Sequence, residues 1–396
     1  MALIRDDTAQ LNGAPGIHAF IAGVSLYQHL PDGPGDEAEV SLNLRQLSST
    51  AATAWMFYQW LLKAEKENRL PLPIATIHLL LSPSQAELDR LPDLAASTPD
   101  RCTRMNFGRD VTGWRRFARN SNDEMTLFYF AGHGVQRRQK DAVLLMDDFG
   151  QPFTGPLTNA IDIHHIINGM APPPGMGIVA KKQVYFVDAC RTPAAELTVG
   201  DWANVPDVWA PFAPASDDRS APVFYATIPG ASAFAVKGEQ TLFSYALFDC
   251  LDRFASIAPL DADADQRWRV TTLSLVQRLD EAIAAVNQAQ QGDQDWAPDG
   301  PNKEIVLSYL TDRPEVEVLL TLDPAIAADN FQLDIEDEVG TTLPTINPIH
   351  PNPHLLNLRA GTYRFAGRPA AGTGFQGFVR NRPVELPKCV LNVKVQ

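Results

Sequence analysis

The sequence predicts an α/β protein, with a mostly parallel sheet flanked by helices and a smaller all-β, sandwich-like domain behind it. Three observations carry this expectation. Short apolar runs alternate with stretches of helical periodicity up to Arg313, and two of those runs stop on polar residues able to do chemistry. After Arg313-Pro314 the texture changes to brief alternating runs separated by Pro, Gly and Asn. Short buried runs ending in polar groups read as parallel strands, and open sheets of this kind place ligands beyond the carboxyl ends of their strands.

The chain has 396 residues, 45% of them apolar and 20% charged, which suffices for a sizeable core and two domains, 1–313 and 314–396. Lys+Arg number 33 against 47 Asp+Glu, and the net charge of -14 argues against a nucleic-acid surface and slightly for basic substrates. Four separated cysteines, Cys102, Cys190, Cys250 and Cys389, form no Cys-x-x-Cys pair and suit a reducing compartment. No apolar run reaches the roughly 18 residues that span a bilayer, and the first residues lack a signal peptide's apolar core. A cytoplasmic protein without a membrane partner is the expectation.

In chain order, a polar leader precedes a strand at 17–26, closed by a Pro/Gly/Asp loop at 31–36. Leu44, Leu47, Ala51, Ala54, Trp55, Tyr58, Leu61 and Leu62 recur at helical spacing within 41–68. A second strand at 74–81 completes a β-α-β unit, which demands a right-handed crossover. The polar stretch 82–110 leads to a short helix at 112–120 and then to the apolar run 126–134. Residues 142–146 suggest a small hairpin, 162–168 a helical turn and 171–177 a loop, before the second chemical run at 184–191. The segment 192–221, rich in Ala, Pro and Asp, has little periodicity, and loops this long are usually functional or mobile. Residues 222–227 read as a strand, 241–254 and 273–286 as helices, and 303–310 as a final strand. Short strands at 316–322, 331–335, 355–358, 363–365 and 390–395 form the sandwich.

The chemistry lies at the ends of two runs. Thr126-Leu127-Phe128-Tyr129-Phe130-Ala131 stops at Gly132-His133-Gly134, and Val184-Tyr185-Phe186-Val187 stops at Asp188-Ala189-Cys190-Arg191. A cysteine attacks a carbonyl as thiolate, which is scarce at neutral pH unless a base or cation stands beside it. His133 supplies that base and later protonates the leaving amine, while Cys190 forms the acyl-enzyme. Glycines beside the histidine let a scissile carbonyl approach the backbone closely, and the Gly134 and Cys190 N–H groups are candidate oxyanion donors. Against this stands the plainer expectation that a cysteine is a buried apolar residue and a strand-end histidine a satisfied polar group.

These residues resemble the caspase-like cysteine peptidases, including bacterial caspases and metacaspases. In that family one strand ends like Tyr129-Phe130-Ala131-Gly132-His133-Gly134 and a second like Val187-Asp188-Ala189-Cys190-Arg191. The local caspase signature places the histidine about 50 residues before the cysteine. The resemblance runs over about 15–312: 16–28 is similar to the first strand and its loop, Phe224 to Thr227 with Ser232-Ala233 to the far side of the substrate groove, and 238–251 to the helix after it. Thr227 is therefore implied as a substrate-binding residue. Metacaspases often read Asp-Ser-Cys-His-Ser-Gly at the nucleophile and caspases Gln-Ala-Cys-Arg-Gly, so Asp188-Ala189-Cys190-Arg191-Thr192 is a hybrid.

The resemblance implies a thiol protease, and the position two before the nucleophile implies its specificity. A neutral amide there belongs to aspartate-specific caspases and a carboxylate to Arg/Lys-specific relatives. Asp188 pairs well with guanidinium, so cleavage after Arg is expected, with Lys second. A second acid is expected from the loop after the first strand, Asp36 first, with Glu37 and Asp32 as alternatives. The segment 192–221 lies where the family places the linker between its two catalytic pieces, and Arg219 is the candidate for self-cleavage. No cofactor is required; metacaspases often bind calcium through acidic loops, for which Asp217-Asp218 is the candidate and solvated carboxylates the simpler account. Relatives in bacteria act in cell-suicide and antiphage responses. A sandwich appended to such a protease suits an activating protein partner or a cover for the active site. The competing expectation is a caspase-like fold kept as a catalytically silent binding or scaffolding module.

Other signals fail on inspection. Asp261-x-Asp263-x-Asp265 begins like a calcium loop but has Gln266 at the sixth position and Thr272 at the twelfth, where Gly and Glu are needed. Gly372-x-Gly374-x-x-Gly377 precedes a strand-like stretch and reads as hairpin turns rather than a dinucleotide site. His164-His165 lack further metal ligands at suitable spacing, so no metal site is expected.

Overall fold

A computed structural model of the chain describes residues 2–137, 141–175, 177–193, 204–212, 217–231, 233, 239–260 and 265–396. They fall into two compact units, one of Met1–Leu251 with Thr271–Ser308 and one of Asp252–Val270 with Tyr309–Gln396.

The first unit is built on β1 (Leu3–Asp6), β2 (Ile17–Val24), β3 (Ile74–Ser82) and β4 (Met125–Gly132), then β5 (Gly134–Gln136), β6 (Val143–Leu145), β7 (Ala160–Asp162), β8 (Lys182–Ala189), β9 (Thr192–Pro193) and β10 (Val223–Tyr225). The main sheet runs β1-β3-β2-β4-β8-β10 and ends on Ala297–Asp299. Its interior pairs are parallel, while β1 and Ala297–Asp299 close the edges antiparallel. β2, β3 and β4 are buried at every position, as expected where helices cover both faces of a parallel sheet. The helices are α1 (Thr50–Lys66), α2 (Gln85–Arg90), α3 (Pro92–Ser97), α4 (Arg104–Phe117), α5 (Ile163–Gly169), α6 (Leu242–Asp249) and α7 (Thr272–Gln290).

Aromatic rings lock both faces. On one, Phe128 stacks on Phe20 at 5.6 Å between centroids and meets Trp114 of α4 at 6.1 Å and Tyr185 at 5.8 Å. On the other, Phe57 of α1 stacks on Tyr129 at 4.5 Å. Gly23 allows α1 to approach β2, since a Cβ there would stand 2.6 Å from the Ala54 Cβ.

Local structure departs from the sequence reading where runs are short. The polar leader contains β1, which pairs with β3 through Leu3, Arg5 and Asp6 but is too short to register as a run. The stretch 82–110 holds α2, α3 and the start of α4. α2 opens with a capping box, in which Ser84 and Glu87 bond reciprocally, a start signal visible in the sequence but masked by its polarity. The helix expected at 112–120 begins instead at Arg104, capped by Thr103, and stops at Phe117. Of the strand expected at 303–310, only Val306–Tyr309 is extended.

The second unit contains two three-stranded sheets, one ordered His354–Arg359, Glu315–Asp323, Lys388–Lys394 and the other Phe331–Asp337, Gly361–Pro369, Phe378–Val384. Glu315–Asp323 alternates buried and exposed side chains, and residues from both sheets, including Val318, Leu320, Leu333, Phe365 and Leu391, share one apolar core. This is the packing of a sandwich. Gly372 and Gly374 adopt φ of 83° and 79° between two paired strands, so the dinucleotide-like pattern is turn chemistry. Among the described residues no helix is long and apolar enough to cross a membrane.

Replacing Phe128 with Ala removes the ring shared by four aromatic neighbours and is expected to destabilise the first unit by about 3–5 kcal/mol. Urea denaturation reads this as a lowered midpoint at constant slope; an unchanged midpoint would contradict the packing described.

Candidate active site

Strand pairing brings the histidine and the cysteine together. β4 and β8 pair in parallel without a break from Met125↔Lys182 to Gly132↔Ala189, and past their ends β5 and β9 pair as Val135↔Thr192. Both ladders have the same offset, 57 residues, so His133 and Cys190 stand opposite one another in the gap between them. Neighbouring strands lie ~4.8 Å apart, so the two side chains rise from adjacent positions on one rim, with no hydrogen bond joining them among the described residues. The sequence separation of the two residues is the register itself. Gly134 is required here, because a Cβ would stand 2.5 Å from the Cys190 carbonyl oxygen.

His133 is held at two points. Its backbone N–H donates to the Tyr27 hydroxyl at 2.7 Å, and the two rings pack at 4.9 Å between centroids. Its Nε2 lies 2.6 Å from the Arg45 carbonyl oxygen. A carbonyl only accepts, so Nε2 carries the proton and, in the neutral ring, Nδ1 is the bare acceptor. Burial pushes the imidazole down to about 4, opposed by the Arg45 carbonyl.

Cys190 is half-buried, and its Sγ accepts from the Ala233 N–H at 3.1 Å. Burial pushes its thiol up, the Ala233 N–H opposes that shift, and the Asp188 charge adds to it. Both displacements favour neutral forms, so the resting pair at neutral pH is imidazole and thiol rather than imidazolium and thiolate. Around the nucleophile, Arg191 N–H donates to the Ala231 carbonyl and Gly230 N–H to the Arg191 carbonyl, each at 3.0 Å, which ties the loop after β10 to the end of β8. The Arg191 guanidinium stacks on the Tyr225 ring at 4.3 Å.

Asp188 lies two residues before Cys190 and is 1% exposed. Its Oδ2 accepts from the Tyr129 hydroxyl at 3.1 Å and from the Thr241 hydroxyl, while its buried Oδ1 has no hydrogen-bond partner among the described residues. Burial pushes its carboxyl up to about 7 against the pull of those two hydroxyls. Thr227 is buried beside the nucleophile strand, its hydroxyl donating to the Ala189 carbonyl at 3.3 Å. Asp36 is exposed in the loop after β2, its carbonyl bound to His29 Nδ1 at 2.7 Å, and its carboxylate joins neither Asp188 nor Cys190 among the described residues. Glu37 and Asp32 are exposed in the same loop.

Of the segment 192–221, residues 194–203 and 213–216 lie outside the described residues. Arg219 is not an accessible cleavage site: it is 5% exposed and binds Asp217 Oδ1 at 2.8 Å, Gln183 Oε1 at 2.9 Å and the Ile167 carbonyl at 3.1 Å. A protease takes its substrate as an exposed extended chain, which this residue does not offer. Asp217 is held by Arg219 and Asp218 by Lys181, each at 2.6 Å. Asp261, Asp263, Ser232 and Gly238 lie outside the described residues, and Asp265 pairs with Arg267 at 2.6 Å. His165 pairs with Asp207 at 2.6 Å and His164 with Asp162 at 3.5 Å. Among the described residues no group of three His, Cys, Asp or Glu could hold a metal ion.

The sequence reading missed Tyr27, Arg45 and Thr241, and it placed Ala233 on the groove without its bond to Cys190 Sγ. Arg45 and Ala233 act through backbone atoms, which leave no mark on residue identity. Tyr27 follows β2 on the same rim as the strand ends, a position the strand pattern could have exposed.

Because only thiolate reacts with iodoacetamide, the alkylation rate of Cys190 should climb through the ordinary thiol range near pH ~8.5 and continue beyond it. A rate already level at neutral pH would show a preformed ion pair and contradict the neutral resting state.

The caspase domain model matches residues 95–295, just over half of the chain. No curated protein matches. Among solved structures, caspase-1 from Spodoptera frugiperda is similar at 13% identity over 75% of this chain and 88% of that one, with a TM-score of 0.38, too distant to carry an argument. With the family match spanning both strand ends and the register that joins them, the chain belongs to the caspase-like cysteine peptidase family.

Proposed function

We propose that this chain is a cysteine endopeptidase that cuts after Arg, with Lys second, through His133 and Cys190. The observation that carries the reading is the preserved register that sets Cys190 opposite a histidine whose Nε2–H is committed to the Arg45 carbonyl. Caspase-like proteases act on protein substrates. The Cys190 proton passes to His133 Nδ1 as Sγ bonds to the scissile carbonyl carbon. The oxyanion is met by the Gly134 and Cys190 N–H groups, the C–N bond breaks, and the Nδ1 proton leaves on the amine. Water then attacks the thioester, its proton going to Nδ1, and that proton returns to sulfur as the acid product leaves. The Arg45 carbonyl supports the imidazolium formed in each half-reaction, as it accepts the Nε2–H throughout.

Specificity rests on Asp188. A buried carboxyl oxygen with no partner among the described residues is costly to leave so, and a substrate guanidinium would satisfy it and draw the group back to its charged form. At 1% exposure the carboxyl is closed, so on this reading the pocket opens as substrate binds, with Thr227 and Asp36 on its borders. Residues 314–396 serve as an accessory domain for an activating protein partner, in a cytoplasmic setting. A role in bacterial defence or cell death is carried by the resemblance alone.

A catalytically silent module is favoured by two observations: Sγ is already engaged by the Ala233 N–H, and Asp188 is closed. Peptides differing only in Arg, Lys or Asp before the cut, assayed with and without calcium, separate the readings. The protease should prefer Arg, lose turnover in Cys190→Ala, and lose on the order of a hundredfold in kcat/KM for Arg in Asp188→Ala. An Arg preference that survives Asp188→Ala would remove the specificity argument; no cleavage by the wild type would favour the module.

A further inference from the structure

The two contacts that hold His133 come from residues that are themselves joined. Tyr27 gives its hydroxyl to the His133 N–H and Arg45 its carbonyl to Nε2. Gln46, the residue after Arg45, reads the backbone of Tyr27: its Oε1 accepts from the Tyr27 N–H at 2.7 Å and its Nε2 reaches the Tyr27 carbonyl at 2.9 Å. The same Nε2 lies 3.1 Å from the Pro31 carbonyl and 3.3 Å from the Leu30 carbonyl. The circuit His133–Tyr27–Gln46–Arg45–His133 is therefore closed, and Gln46 is its one link made by a side-chain amide. Neither Tyr27 nor Gln46 has a place in the proton transfers described above.

The segment that carries Arg45 is also locked at both ends. Leu42 and Asn43 hold φ of 54° and 57°, the left-handed region that a branched apolar residue enters only when its surroundings compel it. Leu42, Leu44 and Leu47 pack against the core, and the Leu47 N–H donates to the Ser25 carbonyl at 3.0 Å. Opposite, Gly33 allows the turn to close, because a Cβ there would stand 2.4 Å from the Tyr27 carbonyl oxygen that Gln46 reaches. The Tyr27 hydroxyl in turn faces the Leu145 carbonyl at 3.4 Å, while the Leu145 N–H donates to the His133 carbonyl at 3.0 Å. The N–H, the carbonyl and the Nε2 of His133 are thereby each held by a named partner.

We propose that Gln46 is a positioning residue for the Cys–His pair, joining Tyr27 to Arg45 so that the imidazole is held as the Nε2–H tautomer with Nδ1 turned to Cys190. The inference rests on the proposed function, but its geometric half does not need turnover. Without the amide, the Arg45 carbonyl and the Tyr27 hydroxyl lose their common anchor, and the ring is free to rotate or exchange tautomer. A displacement of about 1 Å at reacting groups costs on the order of a hundredfold in rate. Asp188, on which Arg binding is proposed to rest, bonds to Tyr129 and Thr241 rather than to this circuit, so binding of the Arg side chain there is left intact.

Gln46→Met in the full chain tests this, because Met matches the length and volume of Gln but neither donates nor accepts like an amide. Steady-state cleavage of an Arg peptide should show kcat lowered by about ten- to a hundredfold with KM within about twofold. The ¹⁵N resonances of the His133 ring, assigned with His133→Ala, should shift from a fixed Nε2–H tautomer in the wild type to an averaged one in the variant. Should Gln46→Met fail to fold, Tyr27→Phe, which keeps the ring and loses the hydroxyl, should give the same kcat loss and the same spectral change. A folded variant of either kind with wild-type kcat and an unchanged tautomer would overturn the proposal. If the wild type does not cleave peptides at all, the protease reading falls by itself, and the tautomer comparison still decides whether Gln46 positions the ring.

Discussion

The parallel pairing of β4 with β8 is the constraint on which the site depends. β4 is buried throughout and β8 from Gln183 to Ala189, and close packing against both layers leaves no freedom to slip, since a one-residue shift would reverse every side chain. Because the register is fixed by packing, the placement of His133 opposite Cys190 needs no flexible search. It is a property of the core, delivered at the rim where the strands end. Stability and chemistry are thus coupled through the same aromatic layers, in which Phe128 and Tyr129 face opposite sides one residue apart.

The site itself combines two opposite electrostatic tendencies. Burial drives His133, Cys190 and Asp188 toward their uncharged forms, and a small number of hydrogen bonds pulls each one back. A pair resting neutral is inert toward solvent electrophiles, and under the proposed mechanism it becomes an ion pair only as a carbonyl carbon accepts the sulfur. The same logic applies to Asp188, whose charge is most stable when a cation enters. Substrate would therefore complete the electrostatics rather than meet them preformed, which accords with a loop that already occupies the backbone and sulfur of the nucleophile segment.

How much of this was legible in the sequence follows from the physics of each feature. The long apolar runs at β2, β3, β4 and β8 announce themselves, and so do the glycines that flank His133, because a chain that ends a strand on Gly-His-Gly leaves a side chain no room. The alternation in Glu315–Asp323 made the second unit readable for the same reason. Short elements were lost: β1 has four residues, and α2 hides in a polar stretch although Ser84 and Glu87 spell its start. Arg219 looked available because a basic residue in an irregular segment usually is exposed; only tertiary contacts with Gln183 and Ile167 reveal its burial. Arg45 was beyond reach in principle, since a carbonyl oxygen belongs to every residue alike.

The account stands or falls on whether His133 activates Cys190 toward a carbonyl beside arginine. Intact-mass spectrometry after exposure to an arginyl chloromethyl ketone measures this most directly. The account predicts one adduct, located at Cys190, forming in the wild type and absent in both His133→Ala and Cys190→Ala. Labelling at an equal rate in His133→Ala, or no labelling of the wild type with or without calcium, would contradict it.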